Sequence, residues 1–139
     1  MRAIRTRDFL YIRNFKPERY PAGWEGRAGS GRPVTAGPNA HIKLAFWPFK
    51  DIDVPSPTKQ YMMDHRGEPE VRPLFKLAFE KRPAEELYDL RKDPNQLINV
   101  ADNPSLAKVK AELSSKLMTE LRATADPRVL GAGDKFDEY

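Results

Sequence analysis

The sequence contains no cysteine. That excludes a disulfide, a thiolate zinc site and a cysteine nucleophile within these 139 residues. Histidine is nearly as scarce. His41 and His65 are too few for a His-rich metal site. No apolar run approaches the roughly 18 residues that a membrane span needs. The opening MRAIRTRDFLYIRNF has no apolar h-region and no small-residue cleavage site, so it does not read as a signal peptide. The glycine-rich, Walker, G-x-S-x-G and H-E-x-x-H spacings are all missing. Neither sign of charge dominates. Lys and Arg total 24 against 20 Asp and Glu, and a net +4 is well short of a nucleic-acid tail. Trp24, Trp47 and the tyrosines are not interleaved with basic residues as a base-stacking platform requires.

What remains is 40% hydrophobic and 32% charged, the balance of a polar globular chain. The length suits one domain with one modest core. Thirteen prolines and eight glycines predict long irregular connections.

Residues 1–15 read as a hairpin. Ala3 and Ile4 form one strand, Phe9 to Ile12 the other, and Thr6-Arg7-Asp8 the turn. Leu10 and Ile12 share one face of the second strand, and Phe9, Tyr11 and Arg13 the other. Both faces carry bulk, which predicts a central strand. Residues 16–56 are too densely punctuated by Pro and Gly for a long element. An apolar stretch, Ile42 to Phe49 with Trp47, suggests that this loop packs on something else. Ser56-Pro57 starts a helix that runs to about Arg66 and stops at Gly67, with Tyr61, Met62 and His65 on its inner side. Glu70–Glu80 fits either period. Glu85–Leu90 reads as a strand and Asp93-Pro94-Asn95 as a turn. Residues 104–124 are the clearest helix. Asn103 caps it, and Leu106, Val109, Leu113, Leu117 and Leu121 form one apolar stripe. The expected class is α+β: a small antiparallel sheet of three to four strands against a long C-terminal helix, with a long irregular loop.

Several residue groups bear on function. Arg2, Arg5, Arg7, Arg13, Lys16 and Arg19 form a basic run, either a solvated sheet face or the rim of a groove for a sulfated or phosphorylated polymer. His65 reads as a helix-end residue bonding local carbonyls, or else as a contact to an anionic ligand. His41 sits in the loop and reads first as structural. Glu85, Glu86, Asp89 and Asp93 fit strand and turn roles without a metal.

The segment Arg82-Pro-Ala-Glu-Glu-Leu-Tyr-Asp-Leu-Arg-Lys-Asp-Pro-Asn-Gln-Leu-Ile-Asn-Val-Ala101 resembles the C-terminal signature of the sulfatase family, E-L-Y-D-L-x-x-D-P-x-E-x-x-N-L-A. The opening Met1–Asn14 is similar to that family's R-x-V-R-T-x-x-Y-K-Y-I-x-N hairpin. Ser56-Pro57-Thr58 and Thr124-Ala125-Asp126-Pro127 are similar to the sulfamidase group, the heparan N-sulfatases. The resemblance implies an antiparallel sheet with a terminal helix, in which Asn99 holds the turn after the Leu-Tyr-Asp-Leu strand by side-chain bonds to the backbone. It also implies that residues 1–139 are the non-catalytic C-terminal subdomain of a longer chain, inactive alone.

The resemblance further implies a parent enzyme with a formylglycine made within C/S-x-P-x-R, and with calcium. No cysteine or serine here lies in that motif, so no catalytic residue, metal ligand or cofactor is carried over. The implied partners are the N-terminal catalytic domain, a sulfated glycosaminoglycan-type sugar and, for subunit contacts, a second copy. The implied location is periplasmic, secreted or lysosomal. By charge and position, the candidate substrate-binding residues are His41, Lys43, His65 and Arg66. Two alternatives stay open: a stand-alone binding module for an anionic, sulfated polysaccharide, and an interaction domain that docks through Ile42–Phe49.

Overall fold

The computed structural model describes residues 1–21, 49 and 56–136. The chain divides into two compact units, one formed by Met1–Pro17 with Pro83–Tyr139, the other by Glu18–Arg82. Among the described residues, no helix is long and apolar enough to cross a membrane.

The first unit is an antiparallel sheet covered by a helix, as the α+β expectation requires. Strands β1 (Arg2–Arg5), β2 (Phe9–Arg13) and β3 (Glu85–Asp89) lie in the order β1-β2-β3. The expected hairpin forms. The Thr6 amide donates to the Phe9 carbonyl at 2.8 Å, and the Phe9 amide donates to Thr6 Oγ1 at 3.0 Å. β2 is central, with Ile4 facing Tyr11 on one side and Leu87 facing Tyr11 on the other. That register sets Ile4, Tyr11 and Leu87 in one row on one face of the sheet. Tyr11 and Leu87 are both fully buried.

Helix α3 (Ala107–Ala123) covers that face. It is entered through a 3-10 turn, Pro104–Leu106, and Asn103 caps the turn by accepting from the Ser105 amide at 3.0 Å. Leu113, Leu117 and Leu121 recur every four residues and pack with Tyr11, Leu87 and Ala101. Ile4, Phe9, Val109 and Val129 close the rim.

The end of α3 uses a residue where glycine is usual. The Asp126 amide bonds the Leu121 carbonyl at 2.8 Å, and Ala125 between them has φ 53°. A left-handed alanine costs about 1–2 kcal/mol. Glycine removes that strain but adds unfolded-state entropy. Ala125→Gly is therefore expected to stabilise the chain by about 0.5–1 kcal/mol, read as a raised urea midpoint at unchanged slope.

The second unit holds helices α1 (Pro57–Asp64) and α2 (Arg72–Phe79). Ser56 caps α1, its Oγ accepting from the Lys59 amide at 3.3 Å. The helix ends at Asp64, two residues before the expected Arg66. His65 leaves the helical region at ψ 14°, and its carbonyl starts a new turn by accepting from the Glu68 amide at 2.9 Å.

The expected inner side of α1 is also corrected. The inward row is Lys59, Met62 and Met63, while Tyr61 stays 54% exposed. Residues 59, 62 and 63 share one helical face, and a lysine can join an inner face by burying its stem. The ambiguous segment 70–80 resolves as helix. Phe75 and Phe79 turn inward and meet Phe49 edge-on or tilted, at 6.2 and 4.9 Å between centroids. Leu74 points outward.

Candidate functional site

Two of the four candidate substrate-binding residues, His41 and Lys43, lie outside the described residues, as do Trp24, Trp47 and the apolar stretch 42–48. Phe49, the last residue of that stretch, is buried beside Tyr20, Phe75 and Phe79.

His65 and Arg66 stand together at the C-terminal end of α1. The His65 ring stacks on the Tyr61 ring, with centroids 4.2 Å apart and planes 27° apart. They are one helical turn apart, so their side chains meet. On its other side His65 Nδ1 is 2.6 Å from Glu68 Oε1. Arg66 Nη1 donates to the Met63 carbonyl at 3.1 Å, and the rest of its side chain is exposed. A helix C-terminus favours a cation such as Arg66, because its last carbonyls carry partial negative charge. Tyr61 and Glu68 also belong to this cluster, though residue type alone does not mark them. The Tyr61–His65 spacing of four was the available signal.

Among the described residues of the same unit, one cation is buried. Lys59 is 6% exposed, and its Nζ donates to the Phe49 carbonyl at 2.8 Å. Burial holds its amine below the ordinary lysine value. No sequence pattern marks a lysine for burial, since the carbonyl that takes its amine lies outside the helix, at Phe49.

In the sheet unit, much of the basic run is engaged in ion pairs. Arg2 bonds Asp126 at 2.6 Å, and Arg13 lies 3.6 Å from Glu85. Lys16 pairs with Asp134. Arg5 and Arg7 are exposed. The acidic residues have local work as well. Glu85 accepts from the Tyr11 hydroxyl at 2.6 Å. Buried Glu86 accepts from Tyr88 at 2.5 Å and from Asn14 Nδ2 at 2.7 Å. Asp89 takes both arms of Arg91 at 2.8 Å, while Arg91 lies 4.8 Å from the Phe9 ring centroid. Asp93 accepts from the Ile98 amide at 2.7 Å and holds the turn. Among the described residues, no three His, Cys, Asp or Glu side chains are grouped to hold a metal ion.

These pairs make stability depend on acid pH. The Arg91 hydrogen bond holds the Asp89 carboxyl below the usual carboxylate value of 3.8. At Asp126, burial pushes upward, but the Arg2 bond, the Arg128 amide and both arginine charges outweigh it, and the net direction is down. A carboxyl lowered in the folded state adds stability above its unfolded value, and that stability is lost as pH falls through the folded value. Asp126→Asn is expected to lower the melting temperature at pH 7. It should also flatten the decline below pH 4, in thermal melts recorded from pH 2 to 7.

Asn99 links the family-like motif to the fold. Its Oδ1 accepts from the Leu87 amide at 2.9 Å and from the Ala101 amide at 3.0 Å. The Val100 amide then donates to the Leu87 carbonyl at 2.8 Å. The outer edge of β3 is thus bonded to the segment that follows the Asp93 turn.

No family model matches the sequence. An ulvan-active sulfatase of Formosa agariphila is 28% identical to it over 127 residues, 91% of this chain and 17% of that protein. The chain is therefore weakly similar to part of a sulfatase. It spans about a sixth of the length of that relative.

Proposed function

We propose that the chain is the non-catalytic C-terminal portion of a sulfatase that hydrolyses sulfate esters or N-sulfate groups on an anionic polysaccharide. The similarity to a sulfatase along 91% of the chain carries this reading. The relative's name points to ulvan as substrate. The Ser56-Pro57-Thr58 and Thr124–Pro127 segments point instead to the sulfamidase group and glycosaminoglycan-type sugars. A sulfated saccharide is common to both.

In this reading the chain covers a preceding catalytic domain and helps shape its substrate cleft, and it can also contribute to a homodimer. Calcium and formylglycine serve the parent enzyme from outside this segment. The residues here do not fit either group, because the described carboxylates are not grouped for a metal and the sequence has no C/S-x-P-x-R. The expected location is periplasmic, secreted or lysosomal. His65 and Arg66, with His41 and Lys43, serve as cationic contacts to sulfate.

The purified 139-residue chain is expected to release no sulfate from sulfated saccharides, with or without calcium. Turnover by this chain alone would overturn the proposal. The DNA upstream of the Met1 codon tests it independently. An in-frame extension encoding C/S-x-P-x-R supports it. An in-frame stop behind a ribosome-binding site favours the binding-module alternative, for which exposed Arg5 and Arg7 are the specific support. That alternative predicts a salt-sensitive affinity for heparin.

A further inference from the structure

We infer that the stack of exposed Tyr61 on half-buried His65 is a platform for the apolar face of a sugar ring, with Arg66 beside it for an anionic substituent. The inference rests on the reading that the ligand is a sulfated saccharide. It deepens that reading by naming the residue that takes the ring, where charge alone pointed only to the residues that take the sulfate.

A single exposed tyrosine is ordinary. This one is part of a braced assembly. Tyr61 leans on His65, and His65 is held by Glu68 at 2.6 Å. Glu68 is itself fixed at the start of the next turn, where its amide bonds the His65 carbonyl at 2.9 Å. The chain of contacts from ring to ring to carboxylate to backbone reduces the rotamer freedom of an exposed aromatic surface. Ordering that surface before a ligand arrives lowers the cost of binding.

The surface chemistry selects the ligand. An aromatic face is electron-rich and attracts polarised C–H groups. A pyranose ring presents such a face, with its polar substituents at the rim. Arg66 is the adjacent rim contact. Its bond to the Met63 carbonyl uses one of five guanidinium N–H groups. A planar fork of this kind suits sulfate or carboxylate oxygens.

Charge argues against a purely electrostatic site. Asp64, which accepts from Gln60 Nε2 at 2.9 Å, and Glu68 flank the only arginine of this turn. The turn therefore carries no excess of positive charge, so stacking, rather than long-range attraction, carries the affinity. Binding here is expected to vary little with salt.

The test is calorimetric titration of the full 139-residue chain with ulvan oligosaccharides and with the same oligosaccharides after chemical desulfation. Tyr61 is exposed, so its replacement removes no core, and far-ultraviolet circular dichroism verifies folding. Tyr61→Ala is expected to weaken both ligands about fivefold, while Tyr61→Phe retains binding. Arg66→Gln is expected to weaken the sulfated ligand alone. If Tyr61→Ala binds both ligands as the unaltered chain does, the platform is overturned, and an effect of Arg66→Gln on the sulfated ligand would leave the sulfate contact standing. Failure of the unaltered chain to bind either ligand also overturns the platform. The reading as part of a sulfatase is then judged separately, by the reading frame and by turnover.

Discussion

Leu117→Ala is expected to destabilise the chain by about 2–5 kcal/mol. Leu117 sits in the middle of α3, buried in the cluster that contains Tyr11, Leu87, Leu113 and Leu121. Alanine is the best helix former, so the loss reports packing and not helix propensity. The core of this unit is built mainly from one sheet face against one helix, so a cavity in the helix stripe lies at its centre. Folded domains are stable by only about 5–15 kcal/mol, so a loss of this size removes a large share. Urea unfolding followed by circular dichroism measures it. Lys116→Ala, one residue away on the exposed side, is the control and is expected to change stability by less than about 0.5 kcal/mol. Equal effects at 116 and 117 would contradict the assigned face of α3.

The second large effect belongs to Asn99. Asn99→Ala takes the acceptor from two part-buried amides, those of Leu87 and Ala101. An unsatisfied buried donor costs about 1–3 kcal/mol, so the expected loss is about 2–4 kcal/mol, less whatever water recovers. Asn99→Asp keeps an oxygen in the same place and gives up only the weak 3.5 Å contact from Nδ2 to the Glu85 carbonyl. It is expected to retain most of the stability. Hydrogen exchange at the Leu87 amide gives the local readout. It should accelerate in the alanine variant and stay protected in the aspartate variant. Protection that survives in Asn99→Ala would mean that another group holds the edge of β3.

The elements set by local rules were legible. The hairpin follows from alternating β-formers around Thr6-Arg7-Asp8. The stripe of α3 follows from leucines at helical spacing behind an Asn103 cap. The role of Asn99 followed from the motif around it. The errors arose where tertiary context decides. A sequence reading puts Tyr61 inside α1 because an aromatic ring outranks a lysine in hydrophobicity. The fold instead buries Lys59, whose stem packs and whose amine finds the Phe49 carbonyl. Glu86 and Asn14 meet only because β2 and β3 pair Ile12 with Glu86, a register that no local pattern states. At the candidate site, charge and position single out His65 and Arg66, which the fold sets side by side at the end of α1. Tyr61 and Glu68 join them only through contacts with His65, which depend on where α1 ends and the next turn begins.

If this chain works as part of a sulfatase, the native gene product extends beyond these 139 residues. The most direct measurement is the mass and activity of the native gene product, isolated with an antibody against α3. A polypeptide far larger than 15.9 kDa that releases sulfate from a sulfated polysaccharide is the predicted result. A product of 15.9 kDa with no larger form and no sulfate release would contradict it.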